Sequence, residues 1–317
     1  MRIVISEFID GTALASLARD FDVCYDAALV EHPAELGVVL ADADALIVRN
    51  RTQVDAALIA AAPRLKVVGR LGVGLDNIDL DTCATRRIDV IPATGANARS
   101  VAEYVIGVAL LLRRQAYLAS AAVAAGEWPR GALSQGRELA GSTLGVVGFG
   151  SIGRLVAELA TGMGVHPIGC DAAIAPAAAV WAEYRTAPRP LDDLLRESDI
   201  VSLHLPLNAQ TRGLLDARRL ALMKRDAILI NTSRGGILDE AALAAALRGG
   251  RLGGAALDVF EREPLPAGSV LAGCPGLLLT PHIAGVTRES NARVSALVAG
   301  EVAAALLRRR AATVTHA

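Results

Sequence analysis

A short apolar strand runs directly into a glycine-spaced turn at Leu144-Gly-Val-Val-Gly-Phe-Gly-Ser-Ile-Gly153. The spacing is Gly148-x-Gly150-x-x-Gly153, with a helix predicted from Arg154 and an acid, Asp171, at the end of the next apolar run. Gly148 permits the tight bend, Gly150 lets the backbone approach a bulky anion, and Gly153 lets the helix sit hard against the strand. Amides near Ser151 and Ile152 then face phosphate oxygens, with the helix dipole behind them. Glycine is common in this chain, at 30 of 317 residues, so the spacing alone says little. The strand before it, the helix after it and the distal acid give it weight. An Asp171 carboxylate can accept from both hydroxyls of a ribose and would repel a 2′-phosphate. Ala172 and Ala173 behind it are not basic, so the turn reads as an NAD site.

The rest of the chain alternates in the same way. Strands are predicted at Arg2–Ile5, Val23–Asp26, Ala45–Val48, Lys66–Arg70 and Val90–Pro92, with helices near Gly11–Ala18, Pro33–Leu40, Asp55–Ala61 and Asp79–Arg86. A long helix is expected from Ser100 to Ala125, then an irregular arm over Gly126–Ser142 that reads as one able to reach a second subunit. A second series follows with strands at Leu144–Gly148, Pro167–Asp171, Ile200–Leu205, Ala227–Asn231, Gly254–Val259 and Gly276–Thr280, closed by an amphipathic helix over Thr287–Arg309. Continuous apolar strands separated by helices predict an α/β chain with two doubly wound parallel-sheet lobes and a cleft between them. The closing helix is expected to return to the first lobe. That gives a substrate domain over 1–98 and 288–317 and an NAD-binding domain over 99–287.

Composition narrows the partners. The 32 basic residues balance 33 acids for a formal charge of −1, which gives no general attraction to nucleic acid or an anionic membrane. All but Lys66 and Lys224 of those basic residues are arginines, a habit of the whole chain. No apolar stretch nears the ~20 residues that span a bilayer. Glu7 and Asp10 interrupt any leader-like core at the start. Cys24, Cys83, Cys170 and Cys274 are far apart and form no CxxC pair, so no metal site is expected and the compartment is expected to be the reducing cytoplasm.

Three segments at predicted strand ends carry candidate chemistry: Ile230-Asn-Thr-Ser-Arg-Gly-Gly236, Leu257-Asp-Val-Phe-Glu-Arg-Glu-Pro264 and Leu279-Thr-Pro-His-Ile-Ala-Gly285. Reduction of a 2-keto acid needs a guanidinium for the carboxylate, an imidazolium to protonate the ketone oxygen, and a carboxylate behind the imidazole. Arg234, His282 and Glu263 supply one of each. Singly each has a plain structural reading: an ion pair, a strand-end histidine, a surface acid. Together, in this order, they read as a catalytic set. His204, in Ser202-Leu-His-Leu-Pro206, is the competing histidine and reads as structural, near the cofactor. His32, His166 and His316 read as surface or strand residues.

Taken in order, GxGxxG, the distal Asp, HLPL, NTSRGG, DVFEREP and TPHIAG resemble the D-isomer-specific 2-hydroxyacid dehydrogenase family, and the likeness covers nearly the whole chain. Val68–Asp79 and Asn97–Glu103 also look like family segments. The resemblance implies a Rossmann NAD domain, a flavodoxin-like substrate domain and a homodimer. It assigns catalysis to Arg234, Glu263 and His282. It also implies NAD contacts at Gly148, Gly150, Ser151, Ile152, Gly153, Asp171, Leu205, Pro206, Thr232, Ser233, Arg234, Asp258, His282 and Gly285.

Family substrate contacts map onto Arg49, Asn50, Arg51, Arg70, Leu71, Gly72, Val73 and Gly74, with Arg234 and His282. Arginines beyond the one that a simple hydroxy acid requires suggest a second anionic group on the substrate. 3-Phosphoglycerate and 3-sulfolactate both fit, and the segment is similar to those of phosphoglycerate and sulfolactate dehydrogenases. The short tail after the closing helix tilts the expectation toward sulfolactate or a short relative. Alternatives are a hydroxypyruvate or glyoxylate reductase, a formate dehydrogenase, and an NADH-sensing protein like the corepressors that resemble this family.

Overall fold

The computed structural model describes residues 1–314, so His316 lies outside the described residues. The chain forms two compact units, Met1–Asn97 together with the chain from Val286 onward, and Ala98–Gly285. The breaks fall at 97/98 and 285/286, against 98/99 and 287/288 in the sequence reading.

The first unit runs β1 (Arg2–Ile5), α1 (Gly11–Leu17), β2 (Asp22–Tyr25), α2 (Pro33–Val39), β3 (Ala45–Val48), α3 (Ala56–Ala61), β4 (Val67–Arg70), α4 (Leu80–Thr85) and β5 (Asp89–Pro92). The strands are all parallel, in the flavodoxin-like order β2-β1-β3-β4-β5. Asp10, Asp55 and Asp79 cap helices: their carboxylates accept from the amides of Thr12, Leu58 and Thr82. Asp55 and Asp79, expected inside helices, therefore sit just ahead of them. The closing helix, Arg288–Val314, packs on this sheet. A Cβ on Gly69 of β4 would stand 2.7 Å from both Val298 and Val302, so only glycine lets the helix come so near.

The second unit opens with α5 (Ala98–Arg114), α6 (Ser120–Ala124) and α7 (Arg130–Leu133). It continues β6 (Thr143–Val147), α8 (Ser151–Gly162), β7 (His166–Cys170), α9 (Ala179–Glu183), β8 (Ala187–Pro188), α10 (Leu191–Glu197), β9 (Ile200–Leu203), α11 (Ala217–Leu220), β10 (Ile228–Asn231), α12 (Glu240–Arg248), β11 (Gly254–Leu257) and β12 (Leu277–Leu279). Its seven parallel strands lie in the order β12-β11-β10-β9-β6-β7-β8, the Rossmann winding with one added edge strand. Strands β9, β10 and β11 are buried along their whole length, because helices cover both faces. Leu194, Leu203, Leu229 and Leu243 fill one side, and Val146, Phe149, Val156 and Ile230 the other.

Two expectations fail here for backbone reasons. The single helix over Ser100–Ala125 is broken: Gln115 takes a left-handed φ of 55°, and the stretch Ala116–Ala124 leaves at 70° to α5. The returning chain closes the end of α5, with the Arg137 amide donating to the Arg113 carbonyl and Gly136 packed on Arg114 too closely for a side chain. The helix after the glycine turn starts at Ser151, not Arg154, with Gly150 as its N-cap. No single helix among the described residues is long and apolar enough to cross a membrane.

Candidate active site

The strand order reverses between β6 and β9, and the glycine turn leaves β6 at that point. Gly148 has a φ of 93°, and a Cβ there would stand 2.4 Å from the His204 carbonyl oxygen. A Cβ on Gly153 would meet the Gly148 carbonyl at 2.1 Å, so the first turn of α8 rests on the bend itself. At Gly150 a Cβ would meet nothing within 4 Å, which leaves its backbone open to a ligand. Leu205 lies over Gly148, and Pro206 is exposed beyond it.

Asp171 serves the turn as well as any ligand. One carboxylate oxygen accepts from the Phe149 amide at 2.7 Å and the other from Ala173 at 2.8 Å. Asp171 also lines a cavity of about 560 Å³ with Ile174, Trp181 and Arg189. Thr232 Oγ1 is enclosed and has no hydrogen-bond partner, as a group awaiting a ligand would be. A turn bare of side chains at Gly150, helix amides at Ser151 and Ile152, a strand-end acid and this orphan hydroxyl together fit a dinucleotide.

The three candidate catalytic loops follow the adjacent strands β10, β11 and β12. Asn231 shapes the first: its amide donates to the Arg234 carbonyl at 3.0 Å, while its oxygen accepts from the Ser233 amide and hydroxyl. The Arg234 guanidinium donates to the Ser233 carbonyl at 2.6 Å. In the second and third loops, His282 Nδ1 lies 2.7 Å from Glu263 Oε2, while Glu263 Oε1 accepts from the Phe260 amide. The Glu263 carboxylate accepts, so Nδ1 carries the proton and Nε2 is the nitrogen outside this pair. Burial alone would raise the Glu263 carboxyl. The His282 hydrogen bond and charge, the Phe260 amide and the Arg234 charge together hold it below its usual range. Arg234, Glu263 and His282 thus share one electrostatic neighbourhood.

Asp258 is engaged in a way its sequence context does not reveal. Its carboxylate is buried and accepts from Thr280 Oγ1 at 2.6 Å and from the Ile283 and Ala284 amides at 2.8 Å. Its carbonyl accepts from the His282 amide at 2.9 Å. Asp258 therefore holds the His282 loop, whatever else it contacts. Gly285 ends this loop. His204 bonds through Nε2 to Ser202 Oγ at 2.9 Å, while its enclosed Nδ1 has no partner. Burial drops its imidazole to about 3, so it stays neutral and cannot serve as a cationic proton donor near neutral pH.

In the first unit, the loop after β3 is held from below by Glu7, whose carboxylate accepts from the amides of Arg49, Arg51 and Thr52. Asn77 donates to the carbonyls of Arg49 and Thr52. The three candidate arginines differ. Arg49 donates to Asn291 Oδ1, lies 5.5 Å over the Phe8 ring, and is pushed below its usual range by burial, with the Glu7 charge opposing. Arg51 is exposed and paired with Glu31. The Arg70 guanidinium folds over Gly72, in space that any side chain at 72 would occupy. Leu71 is buried, its amide donating to Val48; Val73 and Gly74 are half-buried and Asn50 is exposed.

Known proteins match this architecture. The family model for the D-isomer specific 2-hydroxyacid dehydrogenase NAD binding domain matches residues 106–284. An (S)-sulfolactate dehydrogenase of Chromohalobacter salexigens is 54% identical over 304 residues, 96% of this chain and 98% of that protein. A D-3-phosphoglycerate dehydrogenase of Mycobacterium tuberculosis is 42% identical over 306 residues, 96% of this chain but 56% of that protein, so this chain spans little more than half of it. Among solved structures, the TT0316 protein of Thermus thermophilus superposes with a TM-score of 0.86 at 34% identity, covering 96% of this chain and 97% of that one.

Proposed function

The chain belongs to the D-isomer-specific 2-hydroxyacid dehydrogenase family, and from that premise we propose that it interconverts 3-sulfolactate and 3-sulfopyruvate. It is an NAD-dependent oxidoreductase. Support for the substrate comes from the 54% identity to a sulfolactate dehydrogenase along nearly the full length of both chains, and from the arginines at the ends of β3 and β4.

The observation that carries the chemistry is the 2.7 Å bond between His282 Nδ1 and Glu263. Gly150, the Ser151 and Ile152 amides, Asp171 and Thr232 would hold NAD, which when bound would supply hydride acceptor or donor chemistry at C2 of the substrate. In oxidation, His282 Nε2 accepts the hydroxyl proton as C2 becomes a ketone; in reduction it returns that proton to the ketone oxygen. Glu263 stabilises the imidazolium and keeps the proton of Nδ1 in place. Arg234 grips the substrate carboxylate.

We place the protein in the cytoplasm as a homodimer. Its four cysteines stand as separate thiols, which suits a reducing compartment. The segment after α5 exposes Tyr117, Leu118, Val123 and Trp128, with Trp128 at 78% of its full area, which suits a self-association face. Light scattering that returned the 32.8 kDa mass of one chain would remove the dimer.

Offering 3-sulfolactate, 3-phosphoglycerate, glycerate and lactate with NAD⁺ and NADP⁺ tests the function. The expected result is a much higher kcat/KM for sulfolactate with NAD⁺. Preference for 3-phosphoglycerate would reassign the substrate. An NADH-binding chain that turned over none of the four acids would overturn the reading.

A further inference from the structure

Helix α5 carries a hydroxyl that the chemistry above does not use. Tyr104 Oη lies 2.6 Å from Thr280 Oγ1, and Thr280 Oγ1 lies 2.6 Å from Asp258 Oδ1. The donor directions follow from the acceptor at the end. An ionised carboxylate only accepts, so Thr280 donates to Asp258 and therefore accepts from Tyr104. Burial pushes the Tyr104 phenol above its usual range, with the Asp258 charge adding to it and the Thr280 bond opposing, so Tyr104 keeps the proton that it donates.

Beyond Asp258 the chain of bonds reaches the His282 loop. The same carboxylate accepts from the Ile283 and Ala284 amides, and the Asp258 carbonyl accepts from the His282 amide. His282 needs such support, because its φ of 52° is a left-handed conformation that residues other than glycine rarely hold. We propose that Tyr104 is a positioning residue for proton transfer: through Thr280 and Asp258 it holds His282 in the backbone conformation that presents Nδ1 to Glu263. This rests on the reading of His282 as the group that exchanges the substrate's proton.

The Tyr104 ring packs among the apolar residues between α5 and the sheet. Phenylalanine keeps that packing and removes only the donor. In the full-length enzyme with NAD⁺ and its best hydroxy acid, Tyr104→Phe is expected to lower kcat about five- to tenfold, the scale of one lost buried hydrogen bond, with NADH affinity unchanged. Thr280→Val should reproduce the loss and Thr280→Ser should restore most of it. The double variant Tyr104→Phe/Thr280→Val should be no slower than Thr280→Val alone, because both break one relay. A Tyr104→Phe enzyme that melts earlier yet keeps wild-type kcat would reduce Tyr104 to packing and overturn the proposal, as would losses that multiply in the double variant. A wild-type chain inactive on every hydroxy acid sinks the function and the relay together. An active wild type indifferent to Tyr104→Phe sinks only the relay.

Discussion

A Cβ on Gly235 would stand 1.8 Å from the carbonyl oxygen of Phe260. The loop that carries Arg234 is therefore pressed, backbone to backbone, against the loop that carries Glu263. No flexible side chain lies at this contact to move aside, so any residue but glycine must push the two loops apart. Gly235→Ala is expected to lower kcat/KM about 100-fold, since displacement by an ångström at a catalytic group costs on that order. Steady-state kinetics on a variant with a normal circular-dichroism spectrum checks this, and activity within a few-fold of wild type would show that the loops absorb the methyl group.

The Glu263 carboxyl sits below its ordinary value of 4.5, and this has a consequence for stability as well as for rate. A carboxyl depressed in the folded state adds stability above its unfolded value, and that contribution is lost as pH falls through the folded value. Glu263→Gln should therefore melt earlier than wild type near neutrality, with the difference shrinking below pH 4.5. Melting curves across that range read it directly, and a pH-independent difference would contradict the assignment.

Removing the imidazole separates proton transfer from binding. His282→Ala should reduce kcat by about 100-fold or more while NADH affinity stays nearly intact, because the glycine turn lies elsewhere in the unit. Turnover surviving within about tenfold would mean that another group moves the proton.

Arg51 is paired with Glu31 at the surface, whereas Arg49 is half-buried, over the Phe8 ring and bonded to Asn291. Arg51→Ala should raise KM steeply for a sulfonated or phosphorylated acid and barely change turnover of lactate or glycerate. Equal losses on all four acids would remove the second anionic group from the substrate reading. Because Arg49 gives up hydration and has fixed partners, Arg49→Ala should also cost stability, seen as a lower melting temperature.

Asp171 holds the Phe149 and Ala173 amides, so its loss loosens the turn and removes an acid beside the cavity. Asp171→Ser should weaken NAD⁺ binding and narrow the gap between NAD⁺ and NADP⁺, measured as the ratio of kcat/KM values. An unchanged ratio would show that Asp171 serves the turn alone.

The α/β class and most strand positions were readable from apolar runs and the glycines between them. The strands of both units fall within a few residues of their predicted places. The two-residue β8 has no sequence signal, because Ala187 and Pro188 show no apolar run and gain a sheet position only by pairing with β7. The break at Gln115 has none either. There the chain near Gly136 returns to pack on the end of α5, a contact that no local pattern encodes.

At the site, the residue types and the pairing of Glu263 with His282 are legible in the sequence, and most of the other contacts are not. The run Gly148–Gly153 specified its own geometry, since a tight bend, an open backbone and a close helix are properties of neighbouring residues. The use of Asp258 to hold the His282 loop, and the contrast between Arg49 and Arg51, come only with the fold. Sequence order puts Arg234, Glu263 and His282 on three separate loops; the lateral order of β10, β11 and β12 makes those loops neighbours. Backbone preference acts over a few residues and can be read along the chain. A hydrogen bond between loops forms only where the packing of a whole sheet has already brought them together.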